Sequence, residues 1–173
     1  VGSEMCIRDR GEPMALNLIR SGYSVLGFDV VEKPAFVAAG GFQVRSVAEV
    51  SEKTEVIVQS LPTVQALEKT VDGLIEFGRS GQIIIEISSY PLKDKKLQAS
   101  RLAEHDITML DCEISGLPFM VADRTATIFQ SGDQAILESA QEVFEAMTNK
   151  QVNLGEFGAV SYTHLTLPTN REV

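Results

Sequence analysis

The chain has 173 residues, 44% hydrophobic and 23% charged, the composition of a globular protein long enough to bury a sizeable core. It carries 15 Lys and Arg against 24 Asp and Glu, a formal net charge of −9. That field opposes nucleic acid and anionic membrane surfaces, and no apolar run approaches the ~18 residues of a membrane span.

In chain order, residues 1–10 (VGSEMCIRDR) come first. They lack the apolar core of a signal peptide, and only Val1, Met5, Cys6 and Ile7 are apolar. We expect no intact strand from them, so the first strand of any sheet should be damaged or missing. We read residues 1–10, and residues 161–173 (SYTHLTLPTNREV), as adapter read-through rather than native sequence. That leaves residues 11–160 as the domain. A helix is predicted from Gly11, with Pro13 in its first turn and Met14, Leu18 and Ile19 on one face. Ser21 and Gly22 end it.

Apolar runs follow at residues 24–30, 42–44, 55–61, 82–87, 107–112 and 125–131. Several are continuous Val/Ile/Leu stretches, as expected of strands covered on both faces. A helix over residues 92–105 should turn Lys93, Lys95 and Lys96 to water. A helix over residues 133–149 carries an apolar stripe from Ile136 to Met147, with Asp133 as its N-cap. Strand–helix alternation predicts an α/β fold: a doubly wound, Rossmann-like, mostly parallel sheet. Ligands sit beyond the carboxyl ends of the strands in such sheets. This singles out Asp29 and residues 61–63, 88–90 and 113–118.

Helix, tight turn, strand and a terminal acid form the second half of a dinucleotide fingerprint. Gly11 is then the third glycine of GxGxxG, and Asp29 accepts hydrogen bonds from the adenosine ribose. The first two glycines belong at positions 6 and 8, where Cys6 and Arg8 stand. Asp29 also fits a solvated strand-end acid.

From Gly11 to about Val160 the sequence resembles the NAD(P)-binding domain of the β-hydroxyacid dehydrogenases. That family includes 3-hydroxyisobutyrate dehydrogenase, tartronate semialdehyde reductase and 6-phosphogluconate dehydrogenase. Its G-x-P-M-A-x-N-L pattern is matched by Gly11, Pro13, Met14, Ala15, Asn17 and Leu18. A Leu-Pro after the fourth strand is matched by Leu61 and Pro62, followed by Thr63. D-x-S-[ST] is matched by Glu86, Ser88 and Ser89, with Glu in place of Asp. D-A-P-V-S-G-G is matched in part by Asp111, Ser115 and Gly116, with Leu117 replacing the second glycine. G-x-x-G-A is matched by Gly155, Gly158 and Ala159.

The resemblance implies hydride transfer between a nicotinamide cofactor and a small β-hydroxy acid or its aldehyde. Gly11, Pro13, Met14, Asp29, Leu61, Pro62, Thr63, Ser88 and Ser89 would contact cofactor; Ser115, Gly116 and Leu117 would contact substrate. NAD is favoured over NADP, because Asp29 repels a 2′-phosphate and no arginine follows it closely, although Lys33 leaves room for NADP. The family's lysine falls at His164, inside the foreign tail. No catalytic residue is therefore assigned, and the chain as written is expected to be inactive. The resemblance implies a helical C-terminal domain, which usually completes a homo-oligomer and which we do not expect in this chain. An imine reductase or a non-catalytic nucleotide-binding module are the alternatives.

Cys6 and Cys112 form neither a metal-ligand spacing nor a disulfide framework, which places the expected chain in a reducing cytoplasm. Cys112 is expected to be a buried small hydrophobe, His105 a surface residue and Asp123–Arg124 an exposed turn pair. Asp111, Glu113 and Asp123 are the only acids that suggest a divalent metal, and nothing else supports one.

Overall fold

The computed structural model describes residues 2–4 and 10–166, with side chains described from residue 10 to residue 162. Short strands and helices alternate: β1 (Gly2–Glu4), α1 (Gly11–Arg20), β2 (Ser24–Phe28), α2 (Pro34–Ala38), β3 (Phe42–Val44) and α3 (Val47–Ser51). Next come β4 (Val56–Gln59), α4 (Val64–Phe77), β5 (Ile83–Glu86), α5 (Leu92–Ala103) and β6 (Thr108–Ser115). The remainder is α6 (Pro118–Ala122), β7 (Thr127–Ser131), α7 (Gln134–Ser139), α8 (Gln141–Met147), β8 (Lys150–Asn153) and α9 (Ala159–Thr166).

The strands form one sheet in the order β3-β2-β1-β4-β5-β6-β7-β8. Neighbours from β3 to β6 are parallel; β7 runs antiparallel to β6, and β8 parallel to β7. The chain order reverses around β1, so the crevice for a ligand lies at the carboxyl ends of β1 and β4.

The continuous apolar runs are explained by a core on each face. Val56, Val58, Ile83 and Ile85 pack with Met14, Leu18, Phe144 and Met147 on one side. Ile57 and Ile84 pack with Leu67, Val71, Leu74 and Leu102 on the other. Asn17 of α1 is 1% exposed, and its amide donates to Val121 O (2.7 Å) and Met147 O (3.2 Å). A buried amide so placed ties α1 to α6 and α8 and keeps the start of α1 fixed against the sheet.

The structure corrects the sequence reading at several places. A central strand is present: Gly2–Glu4 pairs Gly2 with Ser24 on β2 and Ser3 with Val56 on β4. Ladder bonds are made by backbone groups, so the slot between β2 and β4 accepts three residues that no apolar pattern announces. The helix read over residues 133–149 is two helices, broken at the buried Ala140 (φ −92°, ψ 2°). Beside the break, Ser139 Oγ donates to Ile136 O at 2.8 Å and competes with the helical ladder. Asp133 caps the first piece, accepting from the amides of Ala135 and Ile136. Lys95 is fully buried rather than wet, because it meets Asp111 on β6. The edge strand β8, too polar to show a pattern, was not foreseen. Cys112 is fully buried and His105 exposed, as read.

Candidate functional site

The loops beyond β2, β4 and β5 line a crevice made of adjoining cavities. One, of about 460 Å³, is walled by Phe28, Val30, Val47, Leu61, Pro62 and Ala66, with Asp29, Arg45 and Lys69 among its polar residues. A smaller one, of about 210 Å³, is lined by Arg10, Ser60, Leu61, Ile87, Ser88, Ser89 and Ile114. Leu61 belongs to both. A third concavity, on the far side of Asp29, runs past Lys33 and Gln43. The structure therefore brings Asp29, Leu61, Pro62, Ser88 and Ser89 along one crevice.

Asp29 follows the last residue of β2. Its Oδ1 accepts from the Val31 amide at 3.0 Å, and its Oδ2 lies 3.7 Å from Lys33 Nζ. Ser88 Oγ accepts from the Leu61 amide at 2.6 Å, and the Tyr90 hydroxyl donates to Leu61 O at 2.7 Å. Both backbone groups of Leu61 are thus tied to the loop after β5. Ser89 Oγ donates to Glu113 Oε1 at 2.8 Å. Thr63 spends its hydroxyl as the N-cap of α4, accepting from the Ala66 amide at 3.1 Å.

Gly11 and Pro13 lie in the first turn of α1, while Met14 is fully buried in the core. Met14 thus acts on the crevice only by seating the helix. The first-turn amides of Gly11 and Glu12 have no intrahelical acceptor, the usual state of a helix start and one that suits an anion. Arg10 precedes them, its guanidinium donating to Ile114 O at 2.9 Å.

Ser115 ends β6 and is exposed, as is Leu117 at 59%. Gly116 between them has φ +155°, and a Cβ there would come within 2.8 Å of the Ala126 side chain. Glycine is required at that bend by both conformation and space.

Behind the crevice, cross-strand partners Gln59, Glu86, Asp111 and Ser131 make a polar row across β4 to β7. Lys95 Nζ donates to Asp111 Oδ1 at 2.7 Å and to Cys112 O at 3.3 Å. Asp111 also accepts from the Ser161 amide at 3.1 Å and the Ser161 hydroxyl at 2.9 Å. Glu86 Oε1 accepts from the Ser88 amide at 2.6 Å. Complete burial pushes the Glu86 carboxyl up to about 7, against the smaller opposing pull of Lys95, Ser88 and Gln59. Burial likewise raises the Cys112 thiol, which keeps it un-ionised. Asp111 is thus committed to an ion pair, and no group of three or more metal-ligating side chains occurs among the described residues. Arg124, read as half of an exposed pair, is partly buried with φ +59°, and its guanidinium bonds to Glu145 O.

Sequence reasoning missed Gln43 and Arg45 as parts of the crevice, and Lys95 as a buried cation. Gln43 and Arg45 lie on β3 and just after it, a strand with no motif. Only the polarity of a residue in a short strand could have hinted at them. His164 falls on α9, but its side chain lies outside the described residues, as do Cys6 and Arg8.

The protein-family model for the NAD binding domain of 6-phosphogluconate dehydrogenase matches residues 9–155. An NAD-dependent L-serine dehydrogenase from Pseudomonas aeruginosa is 34% identical over 155 residues, covering 86% of this chain and 52% of that protein. A probable 3-hydroxyisobutyrate dehydrogenase from Mycobacterium bovis is 29% identical over 151 residues, covering 86% of this chain and 51% of its own length. The chain therefore spans about half the length of these curated relatives. Among solved structures, 3-hydroxyisobutyrate dehydrogenase from Mycobacterium tuberculosis with L-serine superposes with a TM-score of 0.88 at 25% identity, covering 95% of this chain and 57% of that one. An imine reductase from Streptomyces aurantiacus gives a TM-score of 0.86 at 21% identity, a likeness of fold alone; 94% of this chain and 58% of that one are covered. With the sheet order, the crevice and a family match over most of its length, this chain belongs to the family of the NAD binding domain of 6-phosphogluconate dehydrogenase.

Proposed function

We propose that the chain is the dinucleotide-binding half of an NAD-dependent oxidoreductase whose substrate is a small β-hydroxy acid or the matching aldehyde. The observation that carries this reading is Asp29 at the mouth of the 460 Å³ apolar cavity, with one carboxylate oxygen already tied to its own loop. The cavity is the right chemistry for an adenine ring, with Val30, Val47 and Pro62 among its apolar walls. Asp29 Oδ2 suits the ribose hydroxyls as acceptor. Residues present fit the adenosine half of a dinucleotide on these grounds. The start of α1, with Gly11 and Pro13 seated through Met14, would meet the pyrophosphate with backbone amides.

Leu61, Pro62 and Thr63 would flank the cofactor with stiff backbone and apolar contacts, and Ser88 and Ser89 would border its nicotinamide end. Ser115 and Gly116 would offer a hydroxyl and an unhindered amide to the substrate carboxylate, with the exposed Leu117 making that end more apolar. A bound nicotinamide supplies the hydride chemistry. The residues of this chain bind and orient it. No residue of this chain is assigned the proton-shuttling role that the resemblance implies; the role we propose is binding and orienting the cofactor, within a domain of residues 11–160 whose sheet β1 completes.

Asp29 sets the choice between cofactors: its charge opposes a 2′-phosphate, and Lys33 at 3.7 Å tempers that repulsion. Calorimetric titration of the chain with NAD and NADP tests the reading. NAD binds more tightly, and Asp29→Ala weakens it about tenfold or more, the scale of a lost hydrogen bond to a charged acceptor. A clear preference for NADP by the unaltered chain overturns the role given to Asp29.

A further inference from the structure

The segment that carries Asp29 is poorly anchored by ordinary means. It runs from the end of β2 at Phe28 to the start of α2 at Pro34, and its tip is bare: Val30 is 92% exposed and Val31 60%. Burial therefore does little to hold it. Asp29 fastens the tip to itself, through Oδ1 and the Val31 amide. What fastens it to the body of the domain is one side chain on the neighbouring strand. Gln43 Nε2 donates to Val31 O at 3.0 Å, and Gln43 Oε1 accepts from the Lys33 amide at 2.9 Å. Gln43 sits on β3 opposite Gly27 of β2, a residue with no side chain to contest the space. Among the described residues, no other side chain from outside the segment bonds to its backbone.

The consequences run to both charged groups. Val31 N orients Oδ1 of Asp29, and Gln43 fixes Val31; Oδ2 is thereby left to face Lys33 Nζ at 3.7 Å. Lys33, the cation nearest that oxygen, takes its backbone position from the same amide. A primary amide is the side chain suited to this task, because one end donates and the other accepts.

We propose that Gln43 is a positioning residue for adenosine-ribose recognition: it presets the aim of Asp29 and the distance of Lys33, and so sets how tightly the site holds the sugar and how well it refuses a 2′-phosphate. The inference rests on the reading of Asp29 as the ribose acceptor. Gln43 touches no ligand in this scheme; it acts through the loop.

The test uses the whole chain, with NAD, NADP and ADP-ribose as probes in calorimetry, and thermal unfolding alongside. Unaltered protein, Asp29→Ala, Gln43→Leu, Gln43→Glu and the Asp29→Ala/Gln43→Leu double variant are compared. Gln43→Leu is expected to weaken NAD and ADP-ribose about tenfold, the scale of two modest hydrogen bonds, and to narrow the NAD-to-NADP ratio. Gln43→Glu keeps the acceptor for Lys33 N but loses the donor, and falls between. The double variant binds no more weakly than Asp29→Ala alone, because a group that acts through Asp29 has nothing to position once Asp29 is gone.

Additive losses in the double variant overturn the proposal, since they mean that Gln43 acts independently of Asp29. Unchanged binding by Gln43→Leu overturns it too. If instead Asp29→Ala leaves NAD binding untouched, or the unaltered chain binds none of the probes, the reading of Asp29 itself fails and takes this inference with it.

Discussion

At the Asp29 end of the crevice, a loop with a bare tip is held by its own aspartate and by the two bonds of Gln43. At the Ser88 end, the loops after β4 and β5 are tied to each other through Leu61 and stand on a buried row of Gln59, Glu86, Asp111 and Lys95. The two ends serve one crevice but spend their interactions differently. The hydrogen bonds at the first end are exposed or part-buried, so changing them alters which ligand is held while leaving the fold nearly alone. Those at the second end are removed from water, where an unpaired charge is expensive, so changing them alters whether the domain stays folded. Selectivity and stability are thus lodged in different places.

The contrast is most exposed to attack at Lys95. Lys95→Met strands the Asp111 carboxylate inside the sheet, and we expect a loss of about 3–5 kcal/mol in denaturant unfolding. A loss below about 1 kcal/mol would erase the distinction between the two ends, since that is the scale of a surface pair.

Glu86 sharpens the contrast through pH. The folded domain holds the Glu86 proton with a value of about 7, against an ordinary 4.5. Its stabilising contribution is therefore complete below pH 4.5 and disappears as pH rises through about 7. The shift corresponds to about 3 kcal/mol. Glu86→Gln, which stays neutral, should unfold later than the unaltered chain at pH 8 by an amount approaching that figure, and by much less at pH 5. Equal effects at both pH values would show that the carboxyl is not titrating in the folded state. Tyr90→Phe is the mildest test. It removes the hydroxyl bond to Leu61 O and should cost about 1 kcal/mol of stability.

Much of this was legible in the sequence, for identifiable reasons. Residues 42–44 form β3 as read, and the other runs lie within a few residues of β2 and β4 to β7, because two-sided burial demands continuous apolar stretches. Asp29 and Ser88 stand where strand ends were anticipated. Lys95 was not legible: it shares its helix face with Leu92, Gln98 and Leu102, but a lysine is seldom buried, and only the fold puts Asp111 opposite it. Gln43 was not legible either, since the reason for that residue type is a pair of backbone groups twelve and ten positions earlier. β1 escaped because its place is defined by neighbours rather than by its own apolarity.

Leu61 is a hinge that has been pinned. With its amide held by Ser88 and its carbonyl by Tyr90, the residue can rotate about neither side without dragging the loop after β5. The rim of the crevice therefore behaves as a single lip rather than as a pair of independent flaps. Occupying the larger cavity alone should slow amide exchange around Ser88 and Ser89, residues that such an occupant never touches.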